Sequence, residues 1–289
     1  MENTFVIVDV SNLAYRASYG NKELKTREGR FSGHIFGAAA SIFALIRNEL
    51  KGLNPVFCYC YDGKNSKEAR RKILPEYKAN RIPKDINPLP EVSSLLRLFP
   101  GIHIEQDDME GDDAIAYAVQ KRNGKPCIVA SGDRDLWALM QYANCKVLSP
   151  NLKRFVEFSD FMEPYHLDGK PERIYLAKAL FGDSSDGIKG IERLIKKHVA
   201  PYLNMEGVDT PEAFYNALGA TKPLGLSDKT WDKLQNSKET VMKNYLTVKP
   251  MLDFNQTSVV KVGKDKIELI REKLKEFECN SLLQWVDRL

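Results

Sequence analysis

Short apolar runs alternate along the first half of the chain with stretches in which apolar residues recur every three or four positions. The run "TFVIVD" predicts a buried strand ending at Asp9, followed by a polar loop and a helix over residues 34–50. "VFCYCYD" predicts a second strand ending at Asp62, and a helix is expected over residues 89–99, then the strand "IHIEQ". In "AIAYAVQKR", Ile115, Ala118, Val119 and Arg122 fall at helical spacing, so that helix packs one side on a sheet. "PCIVASGDRDLWALM" repeats strand then helix, "CKVLSP" is one more strand, and "NLKRFVEF" reads as an edge hairpin.

Strands alternating with helices imply parallel pairing, because each crossover returns the next strand in the same direction. Acidic residues that follow the carboxyl ends of such strands converge on one rim, where open α/β sheets bind ligands. Asp9, Asp62, the cluster around Glu110 and the pair Asp133 and Asp135 occupy that position in successive units. From about Pro171 the alternation stops and the chain reads as helical to its last residue. There "GDSSDGIKGIERLIKKHVAPYL" adds the carboxylates Asp183 and Asp186, a glycine turn and a basic helix, and "KIELIREKLKEF" offers Ile267, Ile270, Leu274 and Phe277 as core. Trp231 is given no functional role.

With 289 residues, 43% of them hydrophobic, the chain can bury a sizeable core in one large domain or two smaller ones. Net charge is only +4, but residues 63–84 carry eight Lys or Arg against two Glu, leaving −2 elsewhere. A compact basic segment on a slightly acidic body suits an anionic partner at one place. Five scattered cysteines show neither zinc spacing nor a disulfide framework, so a reducing cytoplasm is the expected home. The first residues are too short and acidic for a signal peptide, and no apolar stretch could span a membrane.

Residues 107–113 hold five carboxylates. A pair about 5 Å apart repels by roughly 3 kcal/mol at the effective dielectric of a cleft. His34, His103, His166 and His198 follow no ligand spacing, so crowded carboxylates without nitrogen or sulfur donors call for hard cations such as Mg2+ or Mn2+. Two such ions can activate water and clamp both oxygens of an in-line phosphoryl displacement. The basic segment would bring in a polyanion that the bare rim repels.

"VDVSNL", "YDGKNSKEARRKILPEYKANR", "EGDDAIA", "SGDRDL" and "GDSSDGIKG" occur in the order seen in the flap endonuclease and 5'-3' exonuclease family, which the chain resembles from Asp9 to about Leu203, with spacing similar to bacteriophage members including phage ribonuclease H. The resemblance implies a PIN-like α/β fold with a mainly parallel central sheet flanked by helices, occupying residues 1–170, with a basic helical arch at about 63–86. A helical C-terminal region, 171–289, would carry a shortened helix-three-turn-helix-like element for duplex DNA at about 183–203. It implies a divalent-metal-dependent 5' nuclease acting on 5' ends, flaps, nicks or RNA-DNA hybrid, a monomer in the cytoplasm (the host's, if phage-encoded), alongside replication proteins such as a single-strand binding protein. Asp9, Asp62, Glu110, Asp112 and Asp133 match the inner metal positions. Asp113, Asp135, Asp183 and Asp186 match the remaining acidic ones, the last two at the outer site. Lys78 and Arg81 match residues that neutralise the scissile phosphate, and Tyr77 one that stacks on the terminal base. Arg70, Arg71 and Lys72 would contact phosphates on the same arch, and Gly187, Lys189, Gly190, Lys196 and Lys197 the duplex. Asp107 and Asp108 match nothing and are read as surface loop.

The sequence departs from the family in one place. "GIKGIERLIKKH" has Gly187 and Gly190 but lacks the second glycine turn whose amides hold a monovalent cation, so K+ is not expected to be a strong requirement. No glutamine-anchored, double-aromatic clamp-binding peptide lies near Leu289. A haloacid-dehalogenase-like phosphatase would need Asp where Ser11 stands. A small PIN ribonuclease would need neither arch nor helical third. A metal-free binder of branched DNA should have lost some of the nine acidic positions, all of which are acidic here.

Overall fold

The structure, a computed structural model, describes residues 2–82, 86–160, 167, 170–252, 260–262 and 266–289. His166 and residues 83–85 of the basic segment therefore lie outside the described residues.

Five parallel strands form the centre of a seven-stranded sheet: β1 (Asn3–Asp9), β2 (Asn54–Cys60), β3 (Gly101–Ile104), β4 (Cys127–Ala130) and β5 (Cys145–Ser149). Two antiparallel edge strands, β6 (Arg154–Phe155) beside β5 and β9 (Val260–Val262) beside β3, complete the order β6-β5-β4-β1-β2-β3-β9. A separate hairpin pairs β7 (Gly182–Asp183) with β8 (Ile188–Lys189). The register sets Asp9 opposite Cys60 and Val8 opposite Ala130, so the strands end together along one rim. Connections from β1 through β3 step one way, whereas the next crosses β1 to reach β4. That reversal opens a crevice between β1 and β4 at their carboxyl ends.

Two apolar cores sandwich the sheet. One face is covered by α1 (Val10–Gly20), α2 (Gly33–Asn48), α4 (Leu89–Leu96) and α11 (Ile267–Glu276) with the 3-10 turn Asn280–Arg288. The other carries α5 (Gly111–Lys121), the 3-10 segment Asp135–Gln141, α6 (Ile174–Phe181), α7 (Lys196–Leu203), α8 (Pro211–Leu218), α9 (Asp228–Asn236) and α10 (Lys238–Val248). Of the expected core residues in α11 and just after it, Ile270, Leu274 and Phe277 are buried and Ile267 is half-buried. They join the core of α1 and α2, so the last helix packs with the first two rather than with the rest of the C-terminal third.

Three readings need correction. Residues after Asp9 form α1 and not a loop: Val10, Leu13, Ala14 and Ala17 do recur at helical spacing, but the alanines and the polar Ser11 and Asn12 dilute the apolar signal. The C-terminal third is not helical throughout, since it contributes β7, β8 and β9. After "SGDRDL" the chain makes a 3-10 segment and not an α-helix. Within the basic segment, α3 (Glu68–Ile73) is a short helix followed by turns through Asn80.

Candidate active site

Asp9 caps α1, accepting from the Asn12 amide at 2.9 Å, while its other oxygen takes the Ser131 hydroxyl at 2.6 Å across the β1/β4 crevice. Asp62 leaves β2 and accepts from the Gly111 amide at 2.6 Å and from the Ser11 hydroxyl. Glu110 caps α5, and Asp112 follows it into the first turn. Past β4, the Asp133 amide is held by Ser131 and its carboxylate by the Asp135 amide at 2.8 Å. Asp9 and Asp62 are thus aimed by donors from neighbouring strand ends, and Asp133 by a donor of its own loop.

Crowding shows in their proton affinities. Burial pushes the Asp9 carboxyl up to about 7 against its hydrogen bonds from Ser131 and Asn12, and Asp133 and Asp62 add to the rise. Burial, then Asp133 and Asp9, hold Asp112 well above the usual carboxylate range. Burial with Asp133 pushes Asp135 up to about 6 despite Lys178. Burial would also raise Glu110, but Lys78 and Arg70 outweigh it and keep that carboxyl low.

A cleft of about 590 Å3 joins Asp112, Asp133 and Asp135 to Asp183, Asp186, Lys78 and Arg81. Oxygens of Asp135, Asp183 and Asp186 lie within 4.8 Å of one another, so these three could hold one ion. Asp135 therefore sits with the outer pair. The donors are all oxygen, and the Lys178 ammonium bridges Asp135 and Asp183, at 2.6 Å from the latter, as the positive charge this set demands. A hard divalent cation fits that demand.

Lys178 was not singled out from sequence, although a lysine on the otherwise apolar face of "YLAKALF" is a signal that could have found it. Burial disfavours its charge, but Asp135 and Asp183 more than compensate and raise its pKa. Ser11 and Ser131 were likewise inside recognised motifs without a role.

Lys78 Nζ lies 2.7 Å from Glu110 and 3.9 Å from Asp186, and Arg81 is 2.7 Å from Asp186. The Lys78 backbone is left-handed, φ 53°, with its amide donating to the Asp186 carbonyl at 2.8 Å. Such a conformation in a residue other than glycine persists only where its surroundings enforce it.

Three expected site residues face elsewhere. Asp113 is fully buried, gripped by both terminal nitrogens of Arg70 at 2.7 Å and by the Met251 and Glu110 amides, so it is not placed to ligate an ion. Arg70 is only 3% exposed and its Nε donates to the Thr247 carbonyl, so it is not a phosphate contact. Its guanidinium needs charge partners because it left water, and Asp113 supplies them. Tyr77 is 3% exposed, its hydroxyl donating to Glu110 at 2.7 Å, so the ring is not presented to a base. Arg71 is half-exposed and Lys72 exposed on α3, while Lys189 and Lys197 are exposed and Lys196 half-buried around β8 and α7. Gly187 takes φ 74° at the hairpin, and a Cβ on Gly190 would meet the Phe181 backbone at 2.1 Å, so that glycine is required by packing alone.

The fold and the carboxylate rim define a hydrolytic nuclease of the resolvase-like α/β class. Residues 4–166 match the family model described as 5'-3' exonuclease, N-terminal resolvase-like domain, and the chain belongs to that family. It is a metal-dependent 5' nuclease. The 5'-3' exonuclease of Aquifex aeolicus is 27% identical over 99% of this chain and 96% of its own. DNA polymerase I of Caldicellulosiruptor bescii is 30% identical over 70% of this chain, which spans a quarter of the polymerase. Among solved structures, the T5 5'-exonuclease with divalent zinc superposes with TM-score 0.65 at 19% identity, covering 98% of this chain and 99% of that one. Flap endonuclease-1 of Methanococcus jannaschii gives 0.57 at 16%, covering 99% and 91%.

The raised carboxyls have a consequence for pH. A carboxyl held above its ordinary 3.8 binds its proton more tightly when folded, so its stabilising contribution is full below that value and is lost as pH rises through about 6 to 7. Divalent ions compete with those protons, so the gain in Tm on adding Mg2+ should grow between about pH 5.5 and about pH 8. Thermal melts with and without the ion measure it, and equal gains at both ends would contradict the assignment.

Proposed function

We propose that this cleft cuts phosphodiester bonds at 5' flaps, nicks and RNA primers on DNA, with Mg2+ as the working ion and Mn2+ as substitute. Asp135, Asp183 and Asp186 would hold one ion and Asp9, Asp62, Glu110, Asp112 and Asp133 a second. When bound, the ions supply Lewis-acid stabilisation and a water of lowered pKa. The observation that carries this reading is the cleft itself, in which Lys78 and Arg81 share one space with five carboxylates.

The protein's own groups do the rest. Lys78 and Arg81 are tied to Asp186 and Glu110 before substrate arrives, so their charges are positioned without further ordering. A phosphate entering the cleft would exchange those carboxylates for its own oxygens. Ser11 and Ser131 fix Asp62 and Asp9, which limits their freedom to turn away. Arg71, Lys72, Lys189, Lys196 and Lys197 would hold the flanking backbone by charge. The single glycine turn at Gly187 gives no reason for a potassium requirement. Replication proteins such as a single-strand binding protein would share the same DNA, with this chain acting as a monomer.

A 5'-labelled flap incubated with Mg2+ tests the reading, because product lengths report polarity and cut position together. Ladders from the opposite end, or no product with either Mg2+ or Mn2+, would refute it. Lys78→Ala is expected to lower the single-turnover rate by about 10²-fold while weakening substrate binding far less, since a charge at the reacting phosphate counts most in the transition state. If only affinity falls, with the saturated rate intact, Lys78 belongs to a docking surface.

A further inference from the structure

At the opposite end of the sheet from the carboxylates, a shallow groove of about 330 Å3 is lined by Phe43, Ile46, Arg47, Lys51, Trp285 and Arg288. It lies between the last turns of α2 and the 3-10 turn Asn280–Arg288. Its position follows from topology. Helix α2 returns the chain to the start of β2, where Asn54 pairs with Asn3, so the groove sits at the amino edge of the parallel strands. A seven-residue strand separates the two rims by roughly 20 Å.

Among the described residues, three cations and no carboxylate line this groove, and none of Arg47, Lys51 and Arg288 makes an ion pair. Arg47 donates only to its neighbour Asn48 at 3.0 Å. The floor is apolar: Phe43 is buried, and Ile46 and Trp285 are half-buried. Both guanidiniums lean on the indole, 5.4 and 5.9 Å from its centroid. Two other arginines on this face are paired, Arg30 with Glu91 and Glu276 and Arg271 with Asp287.

We propose that this groove is a docking surface for an acidic peptide segment of another protein, one that seats a single apolar or aromatic side chain between Ile46 and Trp285 while its carboxylates meet Arg47, Lys51 and Arg288. Charge complementarity selects the acidic segment, and the apolar floor selects the anchor. Nucleic acid is the weaker fit. A nucleic-acid backbone, held by charge alone, would leave the apolar floor unused. Docking here would leave the cleft open, which suits a partner that holds the nuclease near its DNA while cutting proceeds.

The probe is a fluorescein-labelled peptide, a run of aspartates broken by one phenylalanine, with a serine version as control, titrated against the full chain by anisotropy. The phenylalanine peptide is expected to bind with Kd between about 10 and 100 μM and the serine version about tenfold more weakly. Lys51→Glu with Arg288→Glu should weaken binding at least about tenfold and leave flap cleavage unchanged, which also shows that the variant folds. Ile46→Ser should remove the preference for phenylalanine. No binding of the wild type, or equal binding of both peptides to wild type and Ile46→Ser, would overturn the proposal. So would displacement of the peptide by oligo-dT with matching loss of flap affinity in the charge-reversed variant, which would assign the groove to nucleic acid.

Discussion

Asp133→Asn should lower the single-turnover cleavage rate by about 10² to 10³-fold or more while DNA binding persists or tightens. Asparagine keeps the side-chain shape and can still accept from the Asp135 amide, so the local turn should survive. What is lost is one negative charge at the junction of the two acidic sets, since Asp133 raises the pKa of Asp9, Asp112 and Asp135 alike. Removing it should therefore also lower the pH at which those three ionise. Binding tightens because an anionic strand meets less repulsion. Asp186→Asn should act more mildly, because Arg81 and Lys78 remain to occupy that corner of the cleft. Near wild-type cleavage by Asp133→Asn, measured under saturating enzyme, would place the chemistry elsewhere.

The rim was legible in sequence because it depends on periodicity and order. Apolar runs ending in Asp9, Asp62 and "SGD" fix both strand direction and the side on which the acids gather. Partners distant in the chain were less legible. Arg70 stands in a row with Arg71 and Lys72, and locally all three read as solvated charge. Only the pairing with Asp113, 43 residues on, and with the end of α10 makes the first of them a core residue. Asp113 was misread for the complementary reason: it follows Asp112 directly, and only the turn of α5 shows that the two carboxylates point apart. Tyr77 belongs to the same case, since a tyrosine beside a lysine in a basic stretch gives no hint that Glu110 will bury it. Strand β9 is too short to announce itself, and its role depends on the open edge of β3.

That buried pair carries the largest expected effect on stability. Arg70→Ala should cost about 3 to 5 kcal/mol, because it leaves the Asp113 carboxylate buried with backbone donors alone. For a chain of this size the loss corresponds to a fall in Tm on the order of 10 °C. The geometry also joins stability to chemistry. Arg70 fastens α3 to the Thr247 carbonyl of α10, while its partner Asp113 holds the Glu110 amide, and Glu110 in turn holds Tyr77 and Lys78. Releasing α3 should therefore loosen Lys78 in the cleft and lower the cleavage rate below the melting transition as well. Pairing Arg70→Met with Asp113→Asn removes both charges, and it should recover part of the lost Tm while leaving cleavage depressed, since the tie to α10 stays broken. Melts and single-turnover rates on Arg70→Ala and the double variant separate these effects. If Arg70→Ala keeps its Tm and merely steepens the salt dependence of DNA binding, the guanidinium faces the substrate after all and the buried pair is not its resting place.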